Sequence, residues 1–477
     1  PEATPGQQDN FGETGSVKKR VLILAALVGV LLLIVLGVMI TTRLFFADSD
    51  RPTNLIVMIG DGFGPAQLTL ARLASPQGKL LLDQLLVGKV STASSDSLVT
   101  DSAAGATAYS CGLKTFNGAI AVRPDRKACA TLLEAAKAGG MRTGLVVTSA
   151  LTHATPAAFA SHSVSRDDTQ FIARQMLDQL VDVSLGGGLS SFANMLDVAN
   201  SHYKVIKTKE ELEGSGLTRP LLGLFADDNM EYSIDNNGEQ PTLAQMTEVA
   251  IPLLTNSKGF FMMVEGSRID HAAHQNDPAA MVQDVLAFDE ALKVVVEFAE
   301  ATENTLVVVV ADHETGGMTI GRDGIYSYNL TALHAINHSI EHIAASLTAP
   351  YTGDKLVAAI RGASDGLFTP GDESAFNPSY ATKAAAVAAI TNYINVKTQT
   401  GWTTSGHTGV DVNLYAFGMG VTKFVGGVRA NNAIGTTLAS IMKFDLATLT
   451  AKLANFGTDS GSAKRDVQTN DHFHKGL

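Results

Sequence analysis

The sequence predicts an α/β fold with a central, mainly parallel sheet flanked by helices. Three observations predict it. Short apolar runs of strand length alternate with helix-type segments along most of the chain. The runs are continuously apolar rather than alternating, which marks strands buried on both faces. Acidic and histidine-bearing motifs follow several runs directly, and open α/β sheets bind ligands outside the carboxyl ends of their strands.

The elements follow in order. Residues 1–20 are polar, with Pro, Gly and Gln, and read as a disordered cytoplasmic tail. Val21 to Ile40 is an unbroken run of apolar residues and glycine. At about 1.5 Å per residue, such a run spans a bilayer's hydrocarbon layer of about 30 Å. Lys18, Lys19 and Arg20 precede it and only Arg43 follows closely, so the positive-inside tendency sends the remainder across the membrane. A cleaved signal peptide has a shorter apolar region, of about 7–15 residues. We therefore expect an uncleaved transmembrane signal anchor over 21–45, a linker over 46–53, a catalytic domain over 54–460 on the extracytoplasmic side (periplasmic or extracellular), and a flexible tail over 461–477. Strands are expected at Asn54–Ile59, Thr143–Val147, Phe260–Val264 and Thr305–Ala311, and helices over 128–138, 167–180, 278–301 and 381–394. The stretch 320–400 is less regular and reads as an insertion over the site. No internal repeat is visible.

The chain has 477 residues, enough for one large domain or two ordinary ones, and 45% are hydrophobic. Its net charge of -12 argues against a nucleic-acid-binding face, which must be basic. A small anionic substrate is not excluded, because bound metals reverse a local field. With only Cys111 and Cys129, no disulfide framework holds the fold. The pair reads as two buried small hydrophobes, with a bridge between them as the alternative.

Several motifs carry chemistry. IGDGFG places Asp61 just past a strand. VEGSRIDHAAH supplies Glu265, Asp270, His271 and His274 after another. ADHETGG supplies Asp312 and His313 after a third. Carboxylates and imidazoles are the ligands of catalytic zinc, and an all-oxygen set suits magnesium. Asp270 and His274 are four apart, on one side of a helical turn. Singly, each residue has an ordinary explanation as a cap, turn or surface residue. At three strand ends together, that explanation fails. TDSAAGATAYSCG puts Asp101 and Ser102 at the start of an Ala-rich helix, where N–H groups and the dipole favour an anion. On that segment alone, Ser102 is better explained as a helix cap. THATPAAFASHSVSRDD offers His153, Thr155 and Arg166, and an arginine fork can hold two phosphate oxygens. SGHTGVD offers His407.

Taken together and in this order, the motifs resemble the alkaline phosphatase family, from about Asn54 to Gly420. The resemblance implies hydrolysis of phosphate monoesters, with broad specificity, through a phosphoserine at Ser102. It implies two Zn2+ and one Mg2+. Asp270, His274 and His407 would hold one zinc, and Asp61, Asp312 and His313 the second. Asp61, Thr155 and Glu265 would hold magnesium. Arg166 would clamp the phosphate beside Asp101. His153 and His271 stand where the family varies, near magnesium and phosphate, and resemble the animal enzymes' pair. A homodimer is implied likewise. The rivals are a phosphodiesterase or sulfatase relative and a non-catalytic, membrane-tethered metal- or phosphate-binding protein. Asp101-Ser102-Ala103 lacks the C/S-x-P-x-R context of a sulfatase, and metal storage needs neither Ser102 nor Arg166.

Two features stay outside this pattern. His334, His338 and His342 recur every fourth residue in LHAINHSIEH, as on one solvated or interface face of a helix. His472 and His474 lie in the tail.

Overall fold

β1 (Asn54–Gly60, NLIVMIG) is buried along its whole length, as are β7 (Phe260–Gly266) and β8 (Thr305–Ala311). A strand buried at every residue is covered on both faces, which is why these segments carry no polar alternation. In this computed structural model the described residues are 51–214 and 216–459, with Ile23, 28–32 and Ile34.

The remaining strands are β2 (Leu86–Ser91), β3 (Arg142–Ala150), β4 (Val183–Gly187), β5 (Lys204–Ile206) and β6 (Leu221–Leu224), then the short β9 (Glu314–Thr315), β10 (Met318–Ile320), β11 (Tyr351–Thr352), β12 (Ser379–Tyr380), β13 (Thr400–Trp402) and β14 (His407–Thr408), and finally β15 (Val412–Gly418) and β16 (Val428–Ala430). A ten-stranded sheet runs β16-β2-β15-β8-β1-β7-β3-β4-β6-β5. Only β15 runs against the others in it. The expected α/β, mainly parallel architecture is the observed one.

The expected strands are present and extend further than expected, to Gly60, Ala150 and Gly266. The long helix runs Pro278–Thr302, started by proline in its first turn and by Asp277, whose carboxylate accepts the N–H groups of Ala279 and Ala280. The helix expected over 128–138 begins only at Leu132. Thr131 caps it, and Glu134 returns a bond to the Thr131 N–H. The other two expected helices are Thr169–Gln179 and Lys383–Thr398. Within 320–400 lie the helices Leu330–His334, Ile340–Ser346 and Gly353–Gly362, with β10 paired to β13 and β11 to β12.

Cys111 and Cys129 are bridged, with Cα atoms 6.0 Å apart. This corrects the reading of two free buried cysteines. The intervening loop folds back through Val122 and Ala128, and the Cys129 N–H donates to the Ala121 carbonyl. That return brings the second cysteine to the end of the helix Ser102–Cys111. Sequence spacing alone does not reveal it. Most of the expected anchor 21–45, the tail 1–20 and the tail 461–477 lie outside the described residues. Ile23, Val28 to Leu32 and Ile34 are helical, and among the described residues no helix is long and apolar enough to cross a membrane.

Candidate metal centre and nucleophile

β8, β1 and β7 are neighbours in the sheet, with Gly60 opposite both Ala311 and Gly266. Asp61 and Asp312 therefore sit one residue past paired strand ends. Glu265 lies inside β7, opposite Ile59, rather than after the strand. Gly62 turns the chain at φ 67°, and a Cβ there would stand 2.8 Å from Asp270 Cα. Its N–H donates to Asp312 Oδ1 at 3.1 Å, which ties the loop after β1 to the carboxylate after β8.

The helix Arg268–His274 supplies Asp270 and His274, whose Oδ2 and Nε2 stand 3.2 Å apart. His407 arrives on β14, which pairs with β9. Backbone carbonyls set the two histidine tautomers. His274 Nδ1–H donates to Ser405 (2.6 Å), and His407 Nδ1–H to Thr100 (2.9 Å). Both Nε2 atoms then face inward, 3.1 Å apart, with Asp270 Oδ1 3.7 Å from that of His407. This is how outer groups orient imidazoles towards a metal. His313 stacks on His407 at 3.5 Å, and its Nε2 lies 3.2 Å from Asp312 Oδ2 and 3.5 Å from Asp61 Oδ1.

Ser102 is the first residue of its helix and is buried. It is not the cap. Asp101 takes that role, its Oδ1 accepting the Ala104 N–H. The Ser102 hydroxyl is thereby free, 3.1 Å from His313 Nε2. Asp101 Oδ2 accepts from the Gly118 N–H and from Arg166 Nη1 (3.1 Å). Arg166 Nη2 lies 3.2 Å from His153 Nε2. His153 Nδ1 stands 3.9 Å from Asp61 Oδ2, and its ring meets that of His271 edge-on. Arg268 Nη1 donates to His271 Nδ1 at 3.0 Å. Burial, then the charges of His271 and Arg166, push the His153 imidazole well below its usual range. Burial brings His271 down to about 4.

Whether these residues fit a cation can be tested on their unmet oxygens. Both oxygens of Asp61, Asp312 Oδ2, Glu265 Oε1 and Thr155 Oγ1 are buried without a hydrogen-bond partner. Native interiors rarely leave such acceptors bare. Burial, then the like charges of Asp312, Asp270 and Glu265, drive the Asp61 carboxyl far above the carboxylate range. Burial likewise raises Glu265 to about 8. Three overlapping groups have ligand atoms all within 4.8 Å of one another: Asp270, His313 and His407; Asp61, Asp312 and His313; and Asp61, His153 and Glu265. The donor set fits adjacent divalent cations.

The expected site residues thus converge, and His334, His338 and His342 lie apart from them. Sequence reasoning missed Thr315 and Ser267. The Thr315 hydroxyl donates to Asp270 Oδ1 (2.6 Å) and stands 3.2 Å from His313 Nδ1. Ser267 donates to Glu265 Oε2 (2.7 Å), leaving Oε1 for another partner. Their only signal was a hydroxyl residue inside ADHETGG and VEGSRIDHAAH.

Fold and site define an α/β protein with a buried serine beside a carboxylate–histidine cluster whose donors suit divalent cations. The alkaline phosphatase family model matches residues 52–444. An alkaline phosphatase of Schizosaccharomyces pombe is 36% identical, over 89% of this chain and 88% of its own. Alkaline phosphatase 3 of Bacillus subtilis is 36% identical, over 84% and 91%. A cold-active alkaline phosphatase from a psychrophilic Shewanella superposes with a TM-score of 0.74 at 36% identity, over 82% of this chain and 99% of that one. The chain belongs to the alkaline phosphatase family, and it is a phosphomonoesterase.

Proposed function

We propose that the chain hydrolyses phosphate monoesters to alcohol and inorganic phosphate through a phosphoserine at Ser102, with broad specificity for the alcohol, at a centre of two Zn2+ and one Mg2+. The observation that carries this reading is the Ser102 hydroxyl. It is relieved of capping by Asp101 and lies against His313, among buried carboxylate oxygens that have no hydrogen-bond partner.

Asp270, His274 and His407 would hold one zinc, Asp61, Asp312 and His313 the other, and Asp61, Thr155 and Glu265 the magnesium, with His153 beside them. Bound there, these cations supply Lewis-acid charge that makes serine and water nucleophilic near neutral pH and stabilises the leaving oxygen. The chain's own groups do the rest. Ser102 Oγ, its proton given up to solvent water, attacks phosphorus as the bond to the alcohol oxygen breaks, and that oxygen takes a proton from water. The first N–H groups of the helix Ser102–Cys111 face the anion. Arg166, held by Asp101, presents its guanidinium to the phosphate oxygens and moves no proton. Water then attacks phosphorus, the bond from phosphorus to Ser102 Oγ breaks, and Oγ regains a proton as the water gives one up, which releases inorganic phosphate.

The same reading includes a homodimer, as in the family resemblance, and a catalytic part outside the cytoplasm, tethered by the run Val21–Ile40. The Cys111–Cys129 bridge supports that placement, because disulfides persist in oxidising compartments.

The test is hydrolysis of an aryl phosphate and an aryl phosphodiester by the purified protein. The monoester should turn over faster. Ser102→Ala should lose on the order of a thousandfold or more in kcat. Full monoesterase activity in that variant would sink the mechanism, and preference for the diester would sink the substrate assignment.

A further inference from the structure

The segment LHAINHSIEH does not form one helical face. The helix Leu330–His334 stops, and Ser339 starts another by capping the His342 N–H. His334 turns away, its Nε2 paired with the Ala74 carbonyl. His338 and His342 instead stack face to face, ring centroids 4.0 Å apart and planes 12° from parallel. Asp235, more than a hundred residues earlier in the sequence, meets both. Its Oδ1 is 3.1 Å from His338 Nδ1 and 4.0 Å from His342 Nδ1.

We propose that Asp235, His338 and His342 form a separate surface site for a borderline transition-metal dication such as Zn2+. Two imidazoles and one carboxylate are ligands of the kind that suit zinc, and a hard ion such as Mg2+ prefers oxygens. The spacing agrees. A tetrahedral centre with bonds of about 2.0–2.2 Å sets its ligand atoms about 3.3–3.5 Å apart. The observed separations bracket that value, and all three residues offer atoms within 4.8 Å of one another.

The carboxylate is held in advance. The Ser339 N–H donates to Asp235 Oδ1 (3.0 Å), and the Asp235 N–H donates to the Tyr232 carbonyl (2.9 Å). An Asp–His hydrogen bond accounts for His338 only. The two rings stacked at 4.0 Å instead present a pair of imidazole nitrogens to one carboxylate, and imidazole is the commonest metal ligand. The side chains of His338 and His342 are 36% and 52% exposed. The site is therefore open, with room for water in the remaining positions.

The test does not depend on the catalytic reading. The intact protein, already loaded at its catalytic centre, is equilibrated at pH 8 with buffered Zn2+, and bound metal is counted by elemental analysis. Wild type should hold one more equivalent per chain than His338→Ala/His342→Ala. His342→Gln, at an exposed position, should weaken that equivalent by at least about tenfold. Asp235→Asn should do the same. Substituted Co2+ should show a spectrum of low-symmetry coordination that the double variant loses, and Mg2+ should not compete. All variants should hydrolyse an aryl phosphate like wild type. Equal zinc content in wild type and the double variant overturns the proposal. So does a zinc deficit accompanied by lost hydrolysis, because the missing ion would then be catalytic.

Discussion

At the scale of single residues, the site depends on groups that would touch no metal. The Thr315 hydroxyl has one proton and gives it to Asp270. His313 Nδ1 must then be the donor to Thr315 Oγ1, which leaves His313 Nε2 as a lone pair facing Ser102 and Asp312. One side chain thus orients ligands assigned to both zinc positions. Thr315→Val keeps the shape, removes the proton from Asp270 and strands the His313 N–H. We expect zinc affinity to fall about 10–100-fold, read as a rightward shift in the zinc dependence of kcat. Thr315→Ser should restore most of it. An unchanged zinc dependence in Thr315→Val would show that Thr315 only fills space. Asp101 works in a similar way. It caps the helix, binds the Gly118 N–H and holds Arg166, and so frees the neighbouring Ser102 for chemistry.

At the scale of elements, the metal-type residues were legible because strand ends announce themselves. A fully apolar run must stop where the sheet stops, and a carboxylate at that point is exceptional. Thr315 and Ser267 were not legible, because a hydroxyl beside a turn has many ordinary uses. On its own segment Ser102 reads as a cap, because serine and aspartate cap equally well, and only the backbone shows that Asp101 holds that place. The start of the helix Leu132–Ala138 was missed for a related reason. Glu134 there has uses that its sequence neighbours do not betray. Besides closing the cap with Thr131, it accepts from Gln179 (2.8 Å) and lies 2.9 Å from His162 Nε2. His162 Nδ1 faces the Ala121 carbonyl at 2.9 Å, so both ring nitrogens meet acceptors and the ring is imidazolium. Burial opposes that charge, but Glu134 outweighs it and raises His162, while His162 in turn lowers Glu134 against the same burial. Glu134→Gln leaves a buried cation without its partner and should cost about 3–5 kcal/mol. The sign of the pH dependence follows. The His162 contribution is complete below the ordinary histidine value of 6.5 and fades as pH rises through its raised value. That of Glu134 is complete above the ordinary 4.5 and fades as pH falls through its lowered value. The stability gap between wild type and variant, from urea unfolding, should therefore be widest between these ordinary values. A gap that widened steadily above pH 8 would contradict a charged His162.

At the scale of the whole molecule, one parallel sheet gathers its acids at a single edge, and that concentration has a cost when no cation is bound. Asp61, Glu265, Asp270 and Asp312 are all buried there. The raised carboxyls set the direction of the effect. In the metal-free fold Glu265 keeps its proton up to about 8, against 4.5 ordinarily, and Asp61 is also raised. The unfolded chain releases those protons earlier. Between these values each of these two carboxyls holds more proton in the folded form, and each lowers stability by up to about 1.4 kcal/mol per pH unit as pH rises, whereas His153, His271 and His407, all lowered by burial, give the opposite slope up to the ordinary histidine value of 6.5. Bound cations reverse this, because they favour the ionised carboxylates. They also stabilise the fold by mass action, by about 4 kcal/mol at a thousandfold excess over Kd. We expect chelator-treated protein to lose melting temperature from pH 7 to pH 8, where those histidines are neutral in both states and Glu265 still titrates. Protein resupplied with Zn2+ and Mg2+ should melt higher and stay nearly level over that range. Calorimetry on the two forms decides it. Parallel pH profiles would mean that the buried carboxylates are neutralised by something other than metal, and the assignment of the strand-end acids as ligands would fall with them.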